Sequence, residues 1–191
     1  AYYYNTCLTG TDEATYAQSA DGNFKDMDMS GVGSITASTS RTDALWVNAF
    51  PNINTANGII ENAAALGTIP DAMVAEAHFF RAFDYFLLVQ TFGGVPLDLG
   101  AGELKFNTTL ERFSVRNTVP QVYTRAIFPD LVKAVNDLPE AGRVTGGATK
   151  TLARLYLAKA YLTYGWWLKN PNNIPTYPEA TRVDPDGHDA N

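Results

Sequence analysis

The amino-acid sequence predicts an all-α fold of helical hairpins, preceded by a long irregular segment. Three observations carry this prediction. Apolar residues recur at helical spacing in four stretches, at about 43–66, 70–92, 118–138 and 150–168. Capping and stop residues mark ends of these stretches, and two of the stretches repeat one residue pattern. The helical region is therefore predicted to span residues 42–168.

Residues 1–41 are predicted to be irregular surface chain. Tyr2-Tyr3-Tyr4 is followed by threonine, serine, asparagine, aspartate and glycine without a sustained apolar period. A structureless segment of this length is uncommon in a self-contained compact domain. We expect it to be functional or to pack on parts of a longer protein.

The first helix is predicted to begin at Thr42 or Asp43 and to end at Leu66. Six apolar residues form its core stripe: Leu45, Ala49, Ile53, Ala56, Ile60 and Ala63. Pro51 has no backbone N–H for the carbonyl of Val47. We expect Pro51 either to kink the helix or to mark the point where regular helix begins.

The second helix, 70–92, is predicted to pack on two sides because its apolar arc is wide. That arc combines two stripes of residues: Met73, Ala77, Phe80 and Leu87, and beside them Phe79, Phe83 and Phe86. Thr68 and Asp71 can cap the start, with Pro70 in the first turn. Gly93-Gly94, followed by Pro96, predicts the stop.

The third helix, 118–138, follows a polar, strandless crossing at 98–117. Thr118 and Gln121 have the spacing of a capping box, and Pro129 is expected to bend the helix. The fourth helix, 150–168, is capped by Thr149 and is apolar nearly all round, so it is predicted to be the most buried element. Residues 169–191 are predicted to be a loop that leads to a further helix.

The second and fourth helices repeat one another. Ala75 to Phe83 and Ala153 to Tyr161 share an alanine, then a basic residue, an alanine and an aromatic residue at the same offsets. Small residues beside large aromatics let helices pack closely, as in stacked repeats of about 34 residues. The architecture is therefore predicted to be tetratricopeptide-like, with the hairpins leaning on neighbouring repeats.

Several blocks of the sequence resemble the SusD/RagB family of glycan-capture lipoproteins. The longest lies within 75–97 and comprises Ala75-Glu76-Ala77, Phe79-Phe80-Arg81-Ala82, Tyr85-Phe86 and the run from Leu88 to Leu97. Further blocks follow the family's order: Trp46 through 57–61, Arg116 with Thr118 and Val122-Tyr123, Asp130-Leu131 through Leu138-Pro139 to Thr149-Lys150, and 153–163. The resemblance covers about residues 42–168.

The resemblance implies a non-catalytic, surface-exposed lipoprotein of the outer membrane. Such a protein captures oligosaccharides and delivers them to a SusC-like TonB-dependent transporter. Members of the family are considerably longer, so these residues are expected to be an internal piece of one. The family's lipid-carrying cysteine is not assigned to Cys7, because nothing apolar precedes it. Membrane association is expected only through an amino-terminal lipid anchor outside these residues.

Composition disfavours two classes of partner. Twenty acidic residues against 14 basic ones give a formal net charge of -6, which repels polyphosphate backbones. Nucleic-acid binding is therefore not expected. No run approaches the roughly 18 apolar residues that span a bilayer, so a helix that crosses a membrane is not expected either.

The sequence predicts no catalytic, cofactor or metal site. Glu76 and His78 lie two residues apart, whereas a carboxylate–histidine metal motif on a helix needs a spacing of three or four. Gly142 to Lys150 departs from phosphate-loop spacing, and 184–187 departs from a calcium loop. There is no nucleophile elbow, and His78 and His188 are the only histidines.

Aromatic residues beside polar ones remain as candidate sugar contacts. A sugar ring presents an apolar face and a rim of hydroxyls, so it is bound by aromatic platforms flanked by amides or charges. The candidates lie in or beside the amino-terminal segment: Tyr16, Phe24, Arg41, Trp46 and Asn48. A peptide-binding repeat scaffold and, less favoured, a glycan-cleaving enzyme remain as alternative functions.

Overall fold

The computed structural model describes residues 43–109, 114–174 and 182, and these form an all-α structure as predicted. The helices are α1 (Asp43–Leu66), α2 (Asp71–Phe92), α3 (Val119–Val122), a π-helical turn (Tyr123–Ile127), α4 (Phe128–Asp137) and α5 (Lys150–Lys169). Within these ranges the extended pairing is an isolated bridge between Asp98 and Glu103. The predicted irregular segment 1–41 lies outside the described residues.

Helix α1 runs without interruption through Pro51. The alternative that regular helix begins near Pro51 is wrong, since the helix begins at Asp43. The Thr55 hydroxyl donates a hydrogen bond to the Pro51 carbonyl at 2.9 Å. The chain divides into two compact units, Ala1–Phe50 and Pro51–Asn191, whose boundary falls within this helix.

Helix α2 begins at Asp71, with Pro70 at the capping position and no side-chain cap. The predicted Thr68 cap is therefore wrong. The Pro70 carbonyl instead accepts the N–H groups of Met73 and Val74, as a residue just outside a helix does. The predicted stop at Gly93 is confirmed: its φ is 71°, and its N–H bonds to the Val89 carbonyl.

The core stripe of α2 differs in part from the prediction. Phe79 and Phe86 are buried, but Met73 and Phe80 are exposed. The buried face is centred instead on a mixture of small and large residues: Ala75, Ala77, Ala82, Tyr85, Leu88 and Val89. Alanines allow close approach of a neighbouring helix, so the packing partner decides which aromatic rings are covered.

The third helical segment, 119–137, begins with the predicted capping box. The Thr118 hydroxyl accepts the Gln121 N–H at 3.3 Å, and the Gln121 side chain accepts the Thr118 N–H at 3.0 Å. Pro129, which is predicted to bend the helix, follows a π-helical turn in which the Phe128 N–H bonds to the Tyr123 carbonyl. This wider turn contains one more residue per hydrogen-bonded ring than an α-helical turn.

Helix α5 begins at the predicted cap, since the Thr149 hydroxyl accepts the Leu152 N–H at 3.1 Å. The prediction that this helix is the most buried element is wrong. Three of its 20 residues are buried, against nine of the 22 in α2. One face of α5 packs on the third segment and on α2, while the opposite face carries exposed apolar side chains.

Aromatic rings join α2, the third segment and α5. Tyr156 of α5 meets Phe79 and Phe83 edge-on, with centroid distances of 5.7 and 5.2 Å. Tyr123 stacks on Tyr164 at 4.7 Å. Helix α4 packs against both α2 and α5, so the third segment lies between them. These ring contacts add directional stabilisation to the burial of apolar area.

A buried polar network crosses the same core. Arg81 of α2 donates to both carboxylate oxygens of Asp130 of α4, at 2.7 and 2.8 Å, and to the Asn57 side chain of α1 at 2.7 Å. The His78 ring lies 2.6 Å from the same carboxylate. Asn57 in turn donates to the Lys105 carbonyl at 3.1 Å. The network thus joins three helices and the crossing that follows α2.

Candidate functional site

Two of the five predicted sugar contacts lie within the described residues, and both are on α1. They are Trp46 and Asn48. The predicted contacts Tyr16, Phe24 and Arg41 lie outside the described residues, so the structure says nothing of them.

Trp46 presents an aromatic face near the beginning of α1. Its side chain is 40% exposed, and its ring meets Phe50 edge-on at a centroid distance of 4.7 Å. Phe50 is buried and follows Trp46 by four residues, so the two share one side of the helix. Asp43 precedes Trp46 by three residues and shares that side as well. A partly exposed indole, held by a buried ring and near a carboxylate, has the elements of a sugar platform.

Asn48 does not belong to the same face. It lies two residues from Trp46, and side chains two apart on a helix point to different sides. Its amide donates a hydrogen bond to the Ala44 carbonyl at 2.6 Å, within its own helix. The structure therefore separates Asn48 from the indole with which the sequence analysis grouped it.

A second feature, which the sequence analysis did not predict, is a groove beside Phe106. It has a volume of about 320 Å³ and is lined by Thr55, Gly58, Ile59, Asn62 and Phe106. A Cβ at Gly58 would lie 3.0 Å from the Phe106 ring, so a larger residue there would push this ring outward by a few tenths of an ångström. The sequence signal was weak, because Phe106 lies in a crossing whose apolar residues follow no sustained period.

Paired amides hold this crossing against α1. Asn54 donates its side-chain amide to the Asn107 carbonyl at 2.9 Å and accepts the Asn107 N–H at 2.9 Å. The Glu61 carboxylate accepts the Phe106 N–H at 3.2 Å. These bonds satisfy backbone groups that no strand or helix pairs, and they place the Phe106 ring over α1.

One carboxyl group in this part of the fold has a strongly shifted pKa. Burial raises the pKa of Asp84, on α2, to about 7, and a side-chain hydrogen bond with Asn52 offsets part of the increase. A raised pKa means that the folded state holds the proton more tightly than the unfolded state. Asp84 therefore stabilises the fold below its unfolded pKa, and this contribution is lost as the pH rises through about 7.

Asp84→Asn is expected to stabilise the protein at pH 8 but not at pH 4. The amide resembles the protonated carboxyl group, so the variant avoids placing a charge in a half-buried position. We expect a gain on the order of 1–2 kcal/mol at pH 8, reduced by solvent screening. Urea unfolding of both proteins at the two pH values measures it. Equal stability of both proteins at pH 8 would show that the charge is well solvated.

Glu76 and His78, the two side chains considered above as a metal pair, each have another partner in the structure. Glu76 pairs with Arg143, and His78 pairs with Asp130, so the two side chains have separate partners.

Within the ranges that the structure describes, no group of three or more His, Cys, Asp or Glu residues could hold a metal ion. In the same ranges, no helix has both the length and the apolar character needed to span a membrane.

Comparison with known proteins decides the family. The model of the SusD-like family, described as starch-binding and associating with the outer membrane, matches residues 3–162. The chain belongs to the SusD-like family.

Relatives of this SusD-like chain include SusD-like protein P2 of Formosa agariphila. It is 32% identical over 126 residues, which are 64% of this chain and 24% of the relative. The chain thus spans about a quarter of the length of this curated relative.

Solved structures agree with the fold. A SusD-like protein from Bacteroides fragilis is 27% identical, with a TM-score of 0.58 over 70% of this chain and 26% of that one. A protein crystallised with a xylogluco-oligosaccharide is 24% identical, with a TM-score of 0.60 over 81% of this chain and 29% of that one. This likeness confirms the predicted tetratricopeptide-like helical fold.

Proposed function

We propose that this SusD-like protein captures oligosaccharides at the cell surface without cleaving them. The observation that carries the proposal is the family match over residues 3–162, whose description includes starch binding and the outer membrane. The relative crystallised with a xylogluco-oligosaccharide supports a glycan ligand more generally. The partly exposed Trp46 supplies a platform of the kind that sugars require.

Capture depends on weak stacking combined with hydrogen bonds. By analogy with bases on aromatic rings, one stacked ring contributes about 1–3 kcal/mol. Millimolar affinity needs only about 4 kcal/mol. A single indole with a few polar neighbours therefore supports weak binding. Weak binding also suits a protein that has to release its ligand.

The captured oligosaccharide is passed on to a transporter in the outer membrane. We assign the protein to the outer surface of the outer membrane, held by a lipid anchor, where it delivers oligosaccharide to a SusC-like TonB-dependent transporter. A rigid helical frame suits docking on such a partner. Co-purification of the transporter with the tagged protein from native membranes tests this step, and its absence from mild-detergent extracts would contradict it.

Calorimetry and a reducing-sugar assay, run on one panel of oligosaccharides, test capture. The panel includes starch-derived and xyloglucan-derived oligosaccharides. Heat of binding without new reducing ends supports capture, whereas heat with new reducing ends supports a glycan-cleaving enzyme. The absence of both heat and new reducing ends favours the alternative of a peptide-binding repeat scaffold.

Trp46→Ala is expected to weaken oligosaccharide binding about 5- to 100-fold, or to below detection, because it removes the stacking platform. Trp46→Phe keeps a smaller ring and is expected to retain part of the affinity. The matched control is Phe80→Ala, which removes an exposed aromatic ring that lies edge-on to the buried Phe79 of α2 and is expected to leave binding unchanged. Isothermal calorimetry measures all three variants. Equal affinity of the wild type and Trp46→Ala would exclude this ring from the site.

A further inference from the structure

The groove beside Phe106 is lined by one side of α1 and by one ring of the crossing. Thr55, Ile59 and Asn62 follow one another at spacings of four and three residues, so they lie on one side of the helix. Gly58 lies on the same side, against the half-buried Phe106 ring. We call these five residues the Phe106 groove. Its volume of about 320 Å³ falls at the small end of the range for small-molecule sites, about 300–1,000 Å³.

Hydrogen bonds fix the position of the Phe106 ring before any ligand binds. The Phe106 N–H donates to the Glu61 carboxylate of α1 at 3.2 Å. The next residue, Asn107, is held by two bonds of 2.9 Å with the Asn54 side chain. A surface that is already ordered loses little conformational entropy on binding. The Phe106 groove is therefore preorganised for a ligand.

The two polar side chains of the groove present hydrogen-bond acceptors. The Thr55 hydroxyl donates to the Pro51 carbonyl at 2.9 Å, and the Asn62 amide nitrogen donates to the Gly58 carbonyl at 2.7 Å. These donors are used within α1, which leaves the hydroxyl and amide oxygens to accept bonds from a ligand. All five lining residues are uncharged, so the groove supplies no ionic partner.

These features select the chemistry of the ligand. The Phe106 ring and the side chain of Ile59, which is 47% exposed, suit an apolar face, whereas Thr55 and Asn62 require donors at its edge. A neutral pyranose has both, because C–H groups form its face and hydroxyls form its rim. An apolar side chain of a protein partner would bury the two acceptors without donors, which is costly. A charged ligand would lose hydration without gaining an opposite charge.

We infer that the Phe106 groove is a second glycan site, which binds one neutral pyranose unit of an oligosaccharide. The face of the sugar lies against Phe106 and Ile59, and two of its hydroxyls donate to Thr55 and Asn62. The inference rests on the proposed capture of oligosaccharides, to which it adds a site that does not include Trp46.

Fluorine NMR of the full-length protein tests this site at the ring itself. 4-Fluorophenylalanine in place of Phe106 reports on the groove. The same probe in place of Phe80, an exposed ring on α2, is the control. We expect the neutral oligosaccharides that give heat in the calorimetry panel to shift the resonance at position 106 in a saturable way. The resonance at position 80 should stay where it is.

Asn62→Leu removes one acceptor and keeps a side chain of similar size. We expect it to raise the midpoint of the shift at position 106 about two- to tenfold, the loss of one hydrogen bond. Thr55→Val removes the other acceptor and is expected to act in the same way, so the result does not depend on one variant. The matched control is Gln90→Leu on α2, since Gln90 is exposed and its amide makes the same kind of bond, to the Phe86 carbonyl at 2.8 Å. Its midpoint should equal that of the wild type.

The outcomes separate this inference from the proposed function. Heat of binding without a shift at position 106 overturns the second site and leaves oligosaccharide capture standing. Absence of heat with every sugar contradicts capture, and the second site falls with it. A shift that both Asn62→Leu and Thr55→Val leave unchanged or strengthen assigns the groove to an apolar group, which also overturns the inference.

Discussion

Replacing Arg81 with methionine is expected to lower the free energy of unfolding by about 3–5 kcal/mol. The guanidinium is 6% exposed and makes its bonds to Asp130 and Asn57 inside the core. Without it, the Asp130 carboxylate, itself 3% exposed, keeps the ring of His78 but loses its bidentate cationic partner. A buried charge deprived of its partner costs more than the pair contributed. Urea unfolding at neutral pH measures the loss.

Two further variants separate charge burial from a general loss of packing. Arg81→Met combined with Asp130→Leu removes both charges, and we expect it to recover much of the stability. Arg143→Met breaks a bidentate pair with Glu76 of similar length, at 2.9 and 3.0 Å, but on the exposed surface, and we expect little change. A loss below about 1 kcal/mol for Arg81→Met, as in surface pairs, would contradict the proposed role of the network.

Tyr85→Ala is expected to cost about 3–5 kcal/mol, the usual range for removing a large buried aromatic ring. Tyr85 is fully buried on α2, and its hydroxyl donates to the Pro96 carbonyl at 3.4 Å. The ring therefore packs beneath the turn that follows the double glycine, where Val95 and Leu97 are also fully buried. Its removal leaves a cavity at the point where the chain leaves the helix. Thermal and urea unfolding should report the same loss.

The matched control is Tyr85→Phe, which keeps the ring and removes the hydroxyl. Because the bond to Pro96 is long, we expect a cost of about 1 kcal/mol or less. A similar loss in both variants would mean that the hydroxyl, rather than the filling of the core by the ring, stabilises this turn.

Local sequence signals specify many of the points at which the helices begin and end. The Thr118–Gln121 capping box, the Thr149 cap and the Gly93 stop are present as predicted. Each depends on groups a few residues apart in the chain, so neighbouring residues suffice to specify it. Thr68 failed as a cap because the Pro70 carbonyl took the bonds at the start of α2.

The candidate site could be predicted only in part. Aromatic residues near an irregular segment pointed to Trp46, whose partly exposed indole fits a platform. Asn48 was grouped with it by proximity in sequence, but the helix turns the two side chains to different sides. Phe106 was missed, because its groove exists only when the crossing folds back over Gly58.

The sequence by itself determined the helices, most of their ends and the family, because these depend on local spacing and on recognisable residue blocks. The tertiary structure alone decided which apolar faces are covered. The apolar composition of a helix such as α5 indicates that it can be buried, but it does not identify the packing partner, because that partner lies far away in the chain. The same reason explains Arg81: no local pattern shows that its carboxylate partner lies 49 positions away, and only packing brings the two charges together.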